Sequence, residues 1–137
     1  MGGGMRDKKI KEIEAIIKKR FRDYQFSVDE LAGQVGISGS RLREIVHAEY
    51  GVSPHDLIEV LRLKESIKIL ASENSPTLFE VCKKVGYLNY KTFKKAFKNR
   101  VRMCPSECKR LFKESTNRDQ LLRELLVRLN GDNRGDR

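Results

Sequence analysis

The sequence predicts an all-α protein in which a long helix joins two helix-turn-helix units, followed by an extra amphipathic helix. Two observations predict the paired units. Apolar residues recur at helical spacing along most of the chain, and the pattern of one stretch returns about 50 residues later. A third observation predicts the long helix. Ser53–Asn74 opens with Ser-Pro, a strong helix start, and no further proline occurs before Pro76.

The composition is that of a basic protein. The chain has 137 residues and a formal net charge of +10, with an isoelectric point of about 9.7. This excess of positive charge favours a polyanionic partner, with nucleic acid ahead of an acidic membrane surface. No run is long or apolar enough for a signal peptide or a membrane span, so we expect a cytoplasmic protein without a membrane partner. Residues 1–5 resemble an expression remnant and are expected to lie outside the fold.

The first unit, residues 6–55, is predicted to contain three helices. The first is Lys8–Phe21, whose isoleucines share one face. The second begins after Ser27 and the third after Ser38, because serine at these positions caps the free N–H groups of a first turn. Each of these two helices is expected to end at a glycine suited to the left-handed conformation, Gly36 and Gly51.

The linker helix, Ser53–Asn74, is expected to measure roughly 30 Å, close to one turn of B-DNA. The second unit, residues 75–114, follows it with Thr77 as the cap of its first helix. A helix from about Asn89 to Val101 and a last one over Ser106–Lys113 complete the unit.

The two units repeat each other in register. Leu-Ala-x-x-Val-Gly, ending at Gly36, returns as Val-Cys-x-x-Val-Gly, ending at Gly86, an offset of 50. Pro54 and Pro105 then match at an offset of 51, so one residue is inserted in the second turn. A small residue that allows close helix approach, followed by a glycine turn, is the plan of a helix-turn-helix. A tandem repeat such as a solenoid has a similar signature and stays open.

The helix after each turn displays polar residues. In the second unit four lysines fall at i, i+3, i+4 and i+7, opposite Phe93 and Phe97. Like charges at this spacing repel, and a phosphate partner removes the penalty. In the first unit the exposed set is mixed and suits base edges, since Arg forks onto guanine and Glu accepts from cytosine. The alternative for the second unit is a lysine face that only keeps the protein soluble. The alternative for the first unit is an ordinary solvent-exposed helix face.

From about Ile10 to Lys113 the chain resembles the DNA-binding domain of the AraC/XylS family of bacterial transcription regulators. The resemblance rests on LAGQVGISGSRLREIVHAEYGVSP at 31–54, on RLKES and IKIL at 62–70, and on EVCKKVGY, TFKKAFKN and CPSECKR within 80–110. It implies a monomeric domain of about seven helices, with its two units in successive major-groove turns of an asymmetric site of roughly 20 base pairs. The implied function is that of a transcription regulator, typically an activator, that binds double-stranded DNA, has RNA polymerase as a protein partner and needs no cofactor.

The resemblance also assigns contacts position by position. It gives base reading to Ser40, Arg43 and Glu44 in the first unit, with His47 near the backbone, and to Lys91, Thr92 and Lys95 in the second. It gives backbone contacts to Ser38, Arg41, Asn89, Tyr90, Lys94 and Lys98. Amides near Ser53 and Ser106 are also placed to hold phosphates.

Three positions depart from the family pattern. Glu44 stands where a basic or polar residue is usual, and Ser66 stands where the linker helix usually has alanine. Arg102 stands where a glycine is expected before Pro105. Because a left-handed arginine is strained, we expect the turn there to be reshaped.

Residues 115–137 lie beyond the resemblance. Thr116 is predicted to cap a helix that runs to about Asn130 and ends at Gly131, before a frayed tail, Asp132–Arg137. We expect its leucine stripe to pack on the first helix or on the linker helix of the same chain. A dimer through this helix, or through a sensor domain absent from this sequence, is the alternative to a monomer on DNA. The stripe is Leu121, Leu122, Leu125, Leu126 and Leu129.

Two other function classes stay open. A helical protein-interaction module would account for the repeat and the long helix, although not for lysines on the projecting helix. An enzyme is not expected, because no nucleophile has a base nearby in a motif and no glycine-rich loop cradles a phosphate. No metal site is expected either. The cysteines should be reduced thiols, and the histidines lie far from them in sequence.

Overall fold

The computed structural model describes the backbone of residues 3–135 and the side chains of residues 8–130. In that range the chain forms eight α-helices and no strand, which confirms the predicted all-α class. The helices are α1 (Gly3–Arg20), α2 (Val28–Val35), α3 (Gly39–Tyr50), α4 (Pro54–Leu70), α5 (Leu78–Lys84), α6 (Tyr90–Val101), α7 (Pro105–Glu114) and α8 (Arg118–Gly135).

Two apolar clusters hold these helices together. The first joins α1, α2 and α3 to the start of α4, where Ile58 is its last buried member. The second cluster begins on α4 at Leu63 and joins the rest of that helix to α5, α6, α7 and α8. Full burial of a large apolar side chain contributes about 1.5–3 kcal/mol, so each cluster is a substantial core. Within the described part of the chain, α4 is the helix that supplies both.

The linker helix α4 is shorter than the sequence predicts. It starts as expected, with the Ser53 hydroxyl accepting from the Asp56 amide at 3.1 Å and Pro54 in the first turn. It ends at Leu70 rather than Asn74, because Ala71 is its C-cap and the Ser72 hydroxyl donates to the Ile69 carbonyl at 2.6 Å. Its 17 residues give a length of about 25 Å instead of roughly 30 Å.

The turn before α7 is not reshaped, so that expectation is wrong. Arg102 keeps the left-handed conformation, at φ 70° and ψ 25°, and its N–H donates to the Lys98 carbonyl at 3.0 Å. Gly51 does the same in the first unit, at φ 75° with an N–H bond to His47. Among the described residues, Arg102 is the one non-glycine with a positive φ. Val101 before it and Cys108 after it are buried in the second core, and this packing on both sides holds the strained arginine in place.

Replacing Arg102 with glycine should therefore stabilise the protein relative to replacing it with alanine. A left-handed non-glycine residue costs about 1–2 kcal/mol, and the extra freedom of glycine in the unfolded chain offsets part of that relief. Arg102→Ala is the matched control, because it removes the same side chain and its contacts but leaves the backbone strained. We expect the glycine variant to be more stable by about 1 kcal/mol in urea unfolding. Equal stabilities would contradict a strained turn.

The C-terminal helix α8 packs on α4, as the leucine stripe indicates, and also on α6. Leu125 and Leu129 are fully buried in the second core, and an Arg128 Nη1–H donates to the Val101 carbonyl at 2.8 Å. The cap is Asn117 rather than Thr116, since the Asn117 Oδ1 accepts from the Gln120 amide at 3.1 Å. The second core of this chain is thus completed by a helix outside the family resemblance.

Both ends of the chain extend further into helix than the sequence predicts. α1 begins at Gly3, so the backbone of residues 3–5 is helical, and residues 1–2 lie outside the described range. α8 continues past Gly131 to Gly135, through part of the expected tail, and residues 136–137 are not described. Extension costs little once a helix has nucleated, because each added residue gains a hydrogen bond.

Candidate nucleic-acid interface

The first projecting helix, α3, is held by a tight turn after α2. Gly36 is left-handed at φ 81°, and its N–H donates to the Ala32 carbonyl at 2.9 Å. The Ser38 hydroxyl then accepts from the Arg41 amide at 3.1 Å and caps α3. Leu42, Ile45 and Val46 are buried in the first core. Because these three residues fix the inner face, the opposite face of α3 is presented to solvent.

Five of the six residues assigned to DNA in the first unit lie on this exposed face, and the sixth, Ser38, caps the start of the helix. Four of the six surround an open concavity of about 570 Å³ that also includes Ser53, at the start of α4. The concavity therefore combines side-chain donors and acceptors with the positive end of a helix, which suits an anionic partner. The lining includes the predicted base-reading residues Ser40, Arg43 and Glu44, and His47, which is predicted to contact the backbone.

Glu44 is paired in the free protein. Its carboxylate accepts from the Arg41 guanidinium at 3.1 Å, one helical turn back, with both side chains exposed. A similar but weaker contact joins the Arg43 guanidinium to the Ser40 hydroxyl at 3.4 Å. An exposed ion pair of this kind contributes well under 1 kcal/mol, so a phosphate can readily take Arg41 from Glu44. The α3 face is therefore adaptable rather than fixed.

The second projecting helix, α6, is built with other residues. Asn89 caps it, with Oδ1 accepting from the Thr92 amide at 2.9 Å. Phe93 and Phe97 are fully buried, and their rings meet edge to face at 5.7 Å between centroids. Tyr90 is half-buried because its ring packs against Phe79 at 5.1 Å. These aromatic contacts anchor the start of α6 and leave its outer face exposed.

That outer face is a stripe of four exposed lysines, Lys91, Lys94, Lys95 and Lys98. None of them forms an ion pair within the described part of the chain, in contrast to Arg41 on α3. Clustered cations without partners repel one another and are stabilised by a polyanion. The exposed faces of α3 and α6 thus differ in chemistry, with mixed polar groups on one and uniform positive charge on the other.

Two arginines join the units through contacts that the sequence does not predict. Arg100, at the end of α6, donates to Asp56 at 2.9 Å and to Glu59 at 2.6 Å, both on α4. Arg62 lies in the middle of α4, beside a groove of about 440 Å³ between the units that Thr92 and His55 also line. The partners of these arginines are about 40 residues away in the sequence, so no local pattern indicates them.

The cysteines offer no reactive thiol pair. Cys82 and Cys108 are buried in the second core, and burial raises the pKa of both, that of Cys108 to about 12. A thiol with a raised pKa is a poor nucleophile and a poor metal ligand. Across the described residues, no cluster of three or more His, Cys, Asp or Glu side chains could hold a metal ion. Within the same range, no helix has the length and apolarity that crossing a membrane requires.

Comparison with known proteins places the chain among helix-turn-helix proteins. A family described as "Helix-turn-helix domain" matches residues 31–111, more than half of the chain. The solved C-terminal domain of AraT, a response regulator from Geobacillus stearothermophilus, superposes with a TM-score of 0.73 at 21% identity, over 79% of this chain and 88% of that one. The predicted arrangement of two helix-turn-helix units is therefore confirmed as a fold.

Two curated relatives match at low identity. HTH-type transcriptional regulator MtrA from Neisseria gonorrhoeae is 25% identical over 105 residues, which are 76% of this chain and 34% of that protein. Histidine kinase P4 from Formosa agariphila is 24% identical over 105 residues, which are 77% of this chain and 8% of the kinase. The chain therefore spans about a third of the length of one relative and less than a tenth of the other.

Proposed function

The chain belongs to the AraC-type helix-turn-helix domain family, and on that premise we propose that it is a transcription regulator that binds double-stranded DNA sequence-specifically. The observation that carries the proposal is the lysine stripe of α6, which is exposed, unpaired within the described range and mounted on the projecting helix of a helix-turn-helix. A helix presented in this way fits the major groove of B-DNA.

The two recognition helices, α3 and α6, are called the two readers, and their side chains suit different contacts with DNA. On α3, Arg43 and Glu44 offer a fork and an acceptor for base edges, with Ser40 beside them. On α6, Lys91 and Lys95 form one row that would meet bases, with Thr92. Lys94 and Lys98 form the neighbouring row and would meet phosphates, whose contacts set position and affinity without reading sequence. Ser38, Arg41, Asn89, Tyr90 and His47 complete the proposed backbone contacts.

A single copy of the chain would suffice for an asymmetric site. Both readers belong to one chain and flank α4, so no second subunit is needed to bring two recognition helices together. α4 itself measures about 25 Å, less than the roughly 34 Å of one DNA turn, so its length alone would not set the separation of the readers. We infer a monomer on DNA, with RNA polymerase as the protein partner that activation would require.

The observations weigh against the two other function classes. A module that binds only proteins would not need four unpaired lysines on the projecting helix of its second unit. The match to a histidine kinase covers 8% of that protein at 24% identity, which is too small a part to support kinase activity here. We therefore propose a binding function without catalysis.

Site selection from a random duplex pool, followed by titration at several salt concentrations, tests the proposal. We expect two selected sequence blocks about one helical turn apart. If six to eight phosphates are neutralised, log K should fall against log salt with a slope of about −5 to −7. A chain that binds no duplex at low salt, or that enriches no sequence, would not be such a regulator.

A further inference from the structure

The relative orientation of the two units is not fixed by a shared apolar core. The first cluster ends on α4 at Ile58 and the second begins at Leu63, so the cores lie side by side along one helix. A single helix between two cores leaves room for bending and twisting. Contacts that cross from one unit directly to the other must therefore supply the remaining rigidity.

Arg62 makes such a crossing contact. Its Nε–H donates to the Phe21 carbonyl at 2.7 Å and an Nη2–H donates to the Asp23 carbonyl at 3.1 Å, both in the segment between α1 and α2. The same guanidinium lies over the Tyr87 ring, 5.6 Å from its centroid, in the turn between α5 and α6. One planar group therefore binds the first unit with its edge and the second unit with its face, which a lysine could not do.

The backbone of the second unit's turn meets the same place. A Cβ at Gly86 would come within 2.7 Å of both the Arg62 Nε and the Phe21 carbonyl oxygen. Tyr87 in turn packs on Phe93 at 5.4 Å, so the turn is continuous with the core beneath α6. The guanidinium is partly desolvated, which lowers its pKa and makes its carbonyl acceptors costly to lose.

We propose that Arg62 is a positioning residue that locks the two recognition helices at one separation and angle, and so sets the half-site spacing that the protein accepts. This inference rests on the proposed function. Changing the spacing by one base pair moves one half-site by about 3.4 Å and rotates it by roughly 34°. Two locked readers would have to give up contacts in one half-site, whereas two loosely joined readers would adjust.

The experiment measures binding to duplexes that carry the two blocks selected by the natural chain, at the selected spacing and at one or two base pairs more or less. The natural chain should lose about tenfold in affinity per base pair of change, the value of one good base contact. Arg62→Ala should bind the selected spacing about tenfold more weakly and differ by no more than about threefold across the series. Randomising either block should cost the variant as much as it costs the natural chain, since the readers themselves are intact.

Two further variants make the result specific. Arg62→Lys keeps the charge and loses the fork and the stacking face, so it should flatten the spacing profile as alanine does. Arg22→Ala removes another arginine side chain that binds α4, through Glu65 at 3.4 Å, but no contact of that side chain with the second unit is described, and the Arg22 backbone that lies near Gly86 is kept. It should keep the natural spacing profile.

The outcomes separate the two proposals. If circular dichroism shows that Arg62→Ala is unfolded, Arg62→Lys decides. Natural spacing profiles in the folded Arg62 variants would overturn the positioning role and leave the regulator function standing. If the unaltered chain binds no duplex at low salt, the proposed function fails, and the positioning role fails with it.

Discussion

Replacing Gly86 with alanine should destabilise the protein by about 3 kcal/mol, or lower its melting temperature by roughly 10 °C. Gly86 has φ +105°, which an L side chain rarely adopts. The new methyl would also meet the Phe21 carbonyl oxygen and the Arg62 Nε, each at 2.7 Å, and a backbone carbonyl has little freedom to move. Thermal unfolding followed by far-ultraviolet circular dichroism measures the effect.

The matched control is Gly36→Ala. Gly36 occupies the equivalent turn of the first unit at φ +81°, but a Cβ there would meet nothing within 4 Å. Its cost should be the backbone penalty alone, about 1 kcal/mol. If the two alanine variants lose the same stability, the units do not pack tightly against each other at Gly86. The proposed positioning role of Arg62 would then lose part of its support.

The fold was largely predictable because its signals are local. The Thr77 and Glu80 capping box forms as the spacing indicates, with the Thr77 N–H donating to the Glu80 carboxylate at 2.9 Å. This bond, with the Thr77 hydroxyl contact, holds the pKa of Glu80 below its usual range. The glycine stops at Gly36 and Gly51 are equally local. Caps and stops of this kind depend on neighbours within a few residues, so periodicity and turn chemistry are sufficient to find them.

What joins the units could not be predicted in this way. Arg62 and Arg100 each reach partners about 40 residues distant, and neither stands in a motif that distinguishes it from a solvated charge. At Arg102 a prediction from local sterics fails. Local sterics predict a reshaped turn there, but the packing of α6 and α7 imposes the left-handed conformation on the arginine. Tertiary packing overrides the local preference in that case.

The candidate interface was predictable only in part. Periodicity correctly predicts which faces of α3 and α6 are exposed, because the buried residues of each helix fix the opposite side. It does not predict that Arg41 and Glu44 pair with each other while the lysines of α6 have no carboxylate partner in the described range. Which exposed residues touch bases and which touch phosphates stays a prediction.

The α4 helix has a different role from the one its sequence suggests. Its length resembles a spacer, but it is about 25 Å long and contributes buried residues to both cores. It also carries Asp56 and Glu59, which hold Arg100 of the second unit, and Arg62, which holds the loop of the first. The separation of the readers is therefore a property of α4 together with its polar crossing contacts.

Removing the phosphate-facing lysine row of α6 should weaken binding to every duplex alike. The Lys94→Ala, Lys98→Ala double variant deletes two of the proposed phosphate contacts. The slope of log K against log salt should become shallower by about 2, and affinity at 0.15 M salt should fall roughly thirtyfold on selected and random DNA. Fluorescence anisotropy with the two duplexes at four salt concentrations measures both quantities.

The neighbouring row gives the contrasting result. The Lys91→Ala, Lys95→Ala double variant removes the same charge from the same helix, but we expect it to lose more affinity on the selected site than on random DNA, and to relax preference in one block only. The Lys18→Ala, Lys19→Ala variant removes two exposed lysines of α1 and controls for net charge, so it should change either duplex little. If both α6 variants lose affinity equally on selected and random DNA, the division of α6 into a reading row and a phosphate row is wrong. If neither differs from the α1 control, α6 is not the DNA-binding helix of the second unit.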